Sequence, residues 1–123
     1  MSEEVYQEIF EAVFPFLPDD WQRLIIREVF ASDGNEVKFF VQDSSLQYHD
    51  PFSLGLNADA VFSISRTIHD SLIHMRPQQG KERWNSITID IDNEGFFNTS
   101  FGYDDCLFDE AFESRWTSQY LKQ

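Results

Sequence analysis

Apolar residues recur at helical spacing at the start of the chain: Val5, Ile9, Phe10, Val13, Phe16 and Leu17. Ser2 is placed to cap the first turn, and Glu3 and Glu4 suit the positive end of a helix dipole. The pattern predicts a helix over 3–16, stopped by Pro18 and the following Asp19 and Asp20. The next segment, WQRLIIREVFA (21–31), fits two periods. Trp21, Leu24, Ile25 and Val29 would line a helix, whereas Leu24, Ile26 and Phe30 alternate as a strand does; Glu28 interrupts both patterns. Asp33-Gly34 is a hairpin signal, and VKFFVQ (37–42) reads as a strand. The segment 21–31 is therefore expected to be the first strand of a hairpin.

Residues 43–56 are polar, contain Pro51 and Gly55, and are expected to connect rather than to form an element. Asn57 can cap a second helix, whose stripe is Val61, Ile64, Ile68, Leu72 and Met75. Pro77 ends it, because the residue before a proline is pushed out of helical backbone. SITIDID (86–92) alternates strictly, with Ile87, Ile89 and Ile91 on one face and Thr88, Asp90 and Asp92 on the other. Residues 93–95 turn the chain and 96–103 return as a strand. A closing helix is expected over 109–121, with Phe112, Trp116, Tyr120 and Leu121 to one side. The order is α-β-β-α-β-β-α: two hairpins in one antiparallel sheet with helices packed on it, an α+β fold.

No internal repeat or linker divides the 123 residues, so one domain over 1–123 is expected. A chain of this size buries roughly 65% of its unfolded surface. Its 13 Phe and 3 Trp argue against disorder.

Charge changes the picture more than composition does. Acidic residues number 22 and basic ones 9, for a net charge of −13. Binding to nucleic acid or to an anionic membrane needs Lys and Arg at phosphates, so neither is expected. A cationic partner, by contrast, would be steered in. The lone Cys106 can form no internal disulfide, the N-terminal stretch is acidic and unlike a signal peptide, and no run approaches the ~20 apolar residues of a membrane span. A cytoplasmic location is expected.

Candidate chemistry is sparse. His69 and His74 are five residues apart on the second helix, about 140° around its axis, and so do not share a face. Asp70 and His74 read as a surface pair, and His49 stands alone in its loop. No Cys or His spacing matches a structural zinc site, and residues 90–95 (DIDNEG) lack the calcium-loop pattern. Asp104, Asp105 and Asp109 would oppose thiolate formation at Cys106. There is no nucleophile elbow and no glycine-rich phosphate loop. No cofactor, no metal and no enzymatic activity are expected.

What stands out is a run of one sign. Between Arg83 and Arg115 lie eight acidic residues and no basic one: Asp90, Asp92, Glu94, Asp104, Asp105, Asp109, Glu110 and Glu113. Asp90 and Asp92 should project from the sheet face opposite the isoleucines, and Asp104 and Asp105 should lie near a sheet end. The candidate partner-binding surface is Asp90, Asp92, Asp104, Asp105, Asp109, Glu110 and Glu113, with Tyr103 and Phe108 as candidate apolar anchors, a core position being the alternative for either. Trp21, Trp84, Phe101, Trp116 and Tyr120 are assigned to structure. The residues leave several readings of the acidic face open: docking of a basic partner, an adaptor or chaperone-like module, a solvated face, or a small hydrolase using paired carboxylates.

Three segments carry a family likeness: LPDDW (17–21), EGFFNTSFGYDD (94–105) and ESRWTSQYL (113–121). In element order and in the groups Gly95-Phe96, Tyr103-Asp104-Asp105, Arg115-Trp116 and Tyr120-Leu121, the chain resembles the YezG-like immunity proteins of bacterial polymorphic toxin and contact-dependent inhibition systems. Phe96 stands where that pattern carries Lys. The resemblance implies an antidote that binds and blocks a cognate toxin domain, often a nuclease, with no chemistry of its own. That agrees with the independent reading of the charge, since an acidic surface matches the basic cleft of a nuclease; a monomer or weak homodimer is expected.

Overall fold

Strand β1 (Arg23–Ala31) has seven consecutive buried residues, Leu24 to Phe30. A strand buried on both faces has no polar side to alternate with, which is why its sequence fits two periods. In a computed structural model that describes residues 3–31, 34–103 and 110–121, this strand is the centre of a five-stranded sheet of order β3-β2-β1-β4-β5. Its neighbours are β2 (Gly34–Gln42) and β4 (Ser86–Asp92), both antiparallel to it. The edges are β3 (Tyr48–His49) and β5 (Phe97–Gly102). The two predicted hairpins, β1-β2 and β4-β5, both form, and they join through β1 and β4.

Helices α1 (Glu3–Val13) and α2 (Ala58–Ile73) cover one face. Ile9, Val13, Ile64, Ile68 and Leu72 pack on Leu24, Ile26, Phe39, Val41, Ile87, Ile89 and Ile91, all buried. The predicted stripe of α2 thus faces the sheet at its centre, and Asn57 caps it: its Oδ1 accepts from the Ala60 N–H at 2.8 Å. Helix α1 is shorter than the expected 3–16. The α-helical part stops at Val13 and continues as a 3-10 turn over Phe14–Phe16. Pro15 has no N–H to donate and its ring crowds the carbonyl four residues back, so it cannot extend an α-helix.

Helix α3 (Glu110–Tyr120) covers the other face. Its one buried residue, Trp116, packs on Phe40 and donates its indole N–H to Thr88 Oγ1 at 2.9 Å. That bond satisfies a polar group that burial would otherwise strand. Strand β2 begins at Gly34, three residues before the expected start, and β3 lies within the segment expected to be loop. Two residues are too few to show alternation; β3 exists by pairing with Val41 and Gln42. The expected cap at Ser2 and the turn residue Asp33 lie outside the described residues.

Candidate partner-binding surface

Asp90 and Asp92 project from the α3 side of β4, opposite the buried isoleucines, as their alternation requires. Both carboxylates already have intramolecular work. Asp90 forms a two-point ion pair with Arg23 of β1, through Nε at 3.1 Å and through Nη2. This pair raises the Arg23 pKa through its hydrogen bond to Asp90, against the opposing effect of burial. Asp92 Oδ1 accepts the N–H of Glu94 at 2.9 Å and of Phe96 at 3.1 Å, closing the β4-β5 turn. Gly95 in that turn has φ +91°, a backbone that side chains disfavour.

Glu113 reaches from α3 to Arg27, which donates from Nη2 at 2.7 Å. The same Nη2 donates to Glu36 at 2.9 Å, and Lys38 lies 3.5 Å from Glu113. The Arg27 hydrogen bond pulls the Glu113 carboxyl below its ordinary range, against a smaller upward push from burial. The Arg27 side chain is fully buried, with its guanidinium carbon 4.6 Å from the Trp116 ring centroid and 5.6 Å from that of Phe112. The acidic run is therefore partly compensated. Its cations come from β1 and β2, up to 86 residues away in sequence, where a local count cannot find them.

The remaining predicted residues divide into two groups. Glu110 and Tyr103 are exposed, Tyr103 by 54%; Tyr103 is fixed through its carbonyl, which accepts from Asn85 Nδ2 at 3.2 Å. Asp104, Asp105, Phe108 and Asp109 lie outside the described residues, as does Cys106. Of the residues assigned to structure, Trp84 and Trp116 are buried, whereas Phe101 is 42% exposed although its ring contacts Trp84.

Beyond Phe101 and Tyr103, already named from the sequence, the edge at β5 exposes further aromatic residues. Phe96 is 67% exposed and Phe97 and Phe101 42% each, so that Phe97 and Phe101 of the edge strand are flanked by exposed Phe96 and Tyr103. Adjacent strand residues point to opposite faces, so Phe96-Phe97 cannot both enter one core; the doublet was the available signal. Phe97 stacks on Tyr6 at 4.6 Å, and the Tyr6 hydroxyl meets Thr99 Oγ1 at 2.5 Å. A cavity of about 350 Å³ opens beside Phe97, lined by Gln7, Phe10, Ile91 and Gly95. A second, of about 310 Å³, lies on the α3 side, where Ser100 and Gly102 face Trp116 and Tyr120. A Cβ at Gly102 would collide with the Ser86 hydroxyl, so a side chain there would turn the Ser86 hydroxyl away.

A buried polar cluster lies on the opposite face. Glu28 is fully buried; its Oε2 lies 2.5 Å from His69 Nδ1 and accepts from Asn35 Nδ2 at 2.8 Å. Burial pushes the Glu28 carboxyl up, against the downward pull of His69 and Asn35. His69 thus pairs across to the sheet, and His49 pairs with Asp43 at 2.7 Å. Among the described residues no group of three or more His, Cys, Asp or Glu is placed to hold a metal, and no helix is long and apolar enough to cross a membrane.

Residues 2–122 match the family model described as immunity protein YezG-like. The chain is similar to the curated protein "Immunity protein YezG" of Bacillus spizizenii, at 23% identity over 118 residues, covering 87% of this chain and 71% of that protein.

Proposed function

Because the chain belongs to the YezG-like immunity protein family, a family of inhibitors rather than enzymes, we propose that it neutralises a basic nuclease toxin domain by one-to-one binding in the cytoplasm. The toxin would belong to a polymorphic or contact-dependent inhibition system. The observation that carries the nuclease assignment is the net charge of −13. A nuclease must bind phosphate and so presents a cationic cleft, and an acidic inhibitor is drawn to that cleft at long range. The exposed acids Glu94 and Glu110 supply steering, while exposed aromatics such as Tyr103 and Phe96 supply contact area that charge alone does not. In this reading the chain is a monomer or weak homodimer and binds no nucleic acid itself, since two such surfaces, or a surface and a phosphate backbone, repel.

The test is co-purification with tagged protein from source-cell extract at low and moderate salt. Recovery of a basic nuclease domain in one-to-one ratio, inactive until separated, supports the proposal. Recovery of no basic protein at either salt overturns it, and recovery of a basic protein without toxicity favours an adaptor.

A further inference from the structure

Strand β5 is an edge strand of six residues, and among the described residues no strand pairs its outer side. The other edge, β3, has two residues. Which groups β5 leaves open follows from its pairing. The Asp92 N–H donates to the Phe96 carbonyl at 3.1 Å, which makes Asp92 and Phe96 a bonded pair. Bonded and non-bonded pairs alternate in an antiparallel ladder. Asn98 and Ser100 therefore bond to Asp90 and Thr88, while Phe97, Thr99 and Phe101, opposite Ile91, Ile89 and Ile87, turn their N–H and C=O groups outward.

The surroundings of this edge fit a strand. A strand's side chains alternate between faces, and a cavity lies beside β5 on each face: one by Phe97 and Phe10, one by Ser100 and Trp116. Acidic groups flank the first. Glu94 is exposed in the adjoining turn, and Gln7, which lines the cavity, holds Glu11 through a 2.9 Å hydrogen bond.

We infer that the β5 edge, through the outward N–H and C=O groups of Phe97, Thr99 and Phe101, captures an extended segment of the toxin domain as a sixth strand. The segment carries Lys or Arg and alternating apolar side chains. This rests on the immunity reading above and names the mode of binding. A second copy of this chain fits less well, because pairing edge to edge would bring two bodies of net charge −13 together. Exposed aromatic edge strands are a liability unless something covers them, and strand addition covers this one while giving affinity through the main chain.

Amide hydrogen exchange, with and without the basic toxin domain recovered by co-purification, tests the inference directly. Protection of the Phe97, Thr99 and Phe101 amides, with no change at β3, is the expected result. Unchanged exchange at those amides in a complex that blocks the toxin overturns the inference and leaves the immunity reading standing. Protection that develops in the chain alone as concentration rises, with a matching mass increase, makes the occupant a second copy and also overturns it. Failure to block any toxin defeats the immunity reading itself. Thr99→Pro removes one outward N–H, and Thr99→Val keeps it while losing the same hydroxyl. Affinity for the toxin domain should fall at least 100-fold in Thr99→Pro and less than threefold in Thr99→Val, both checked for folding by circular dichroism. Equal affinities in two folded variants contradict strand capture.

Discussion

Glu113 on α3 accepts a hydrogen bond at 2.7 Å from Arg27 on β1, an arginine with no side-chain exposure. This contact ties the last helix to the central strand. Among the described residues the Nε and Nη1 atoms of Arg27 have no hydrogen-bond partner, and Nη2 carries both of its carboxylate contacts. Glu113→Ala should cost about 1–3 kcal/mol, because it strands more of a buried cation. Arg27→Met should cost less, since it removes the buried charge, fills the space against Trp116, and leaves Glu113 and Glu36 with access to water and to Lys38. Urea unfolding of the two variants checks the ranking; an Arg27→Met cost above that of Glu113→Ala refutes it.

The two carboxylates shifted in opposite directions give stability opposite dependences on pH. Glu113 is lowered by Arg27, so its contribution is present above the ordinary carboxylate value of 4.5 and is lost as pH falls through its folded pKa. Glu28 is raised by burial, so its contribution is full below 4.5 and is lost as pH rises through its folded pKa. Relative to wild type, Glu113→Gln should therefore become more destabilising as pH rises from acid toward neutral, and Glu28→Gln less so. Denaturation midpoints across that window check both slopes, and parallel slopes for the two variants contradict the assignment.

Asp92 and Glu94 are two residues apart and should separate structure from steering. Asp92→Ala removes the acceptor for two turn N–H groups and should cost about 1 kcal/mol. Glu94→Lys and Glu110→Lys act on exposed positions and should change stability by less than about 1 kcal/mol. Their effect belongs in the association rate with a basic toxin domain, which should fall about tenfold at low salt and converge on wild type as salt rises. Stopped-flow association at two salt concentrations reads this out.

The sequence was most informative where one face of an element meets water. Ile87, Ile89 and Ile91 alternate with polar residues, and Ile64, Ile68 and Leu72 repeat at helical spacing; all six are buried. Strand β1 was ambiguous because Ile25 and Val29 are buried against α3's side while Leu24, Ile26 and Phe30 are buried against α1 and α2. Glu28 looked like a break in the pattern and is a buried carboxylate partnered by His69. The acidic run was legible as charge, yet the pairing of Asp90 with Arg23 and Glu113 with Arg27 depends on sheet order, which no local window contains. The open edge of β5 likewise follows from its place in the sheet, although the Phe96-Phe97 doublet marked it.

The most direct measurement is a titration of toxin-domain activity with this protein. Activity should fall linearly to a break at one equivalent, remain suppressed without turnover, and recover when the two chains are separated. The break should soften as salt weakens the complex. Inactivation by a small fraction of an equivalent, or full activity at several equivalents, would contradict neutralisation by stoichiometric binding.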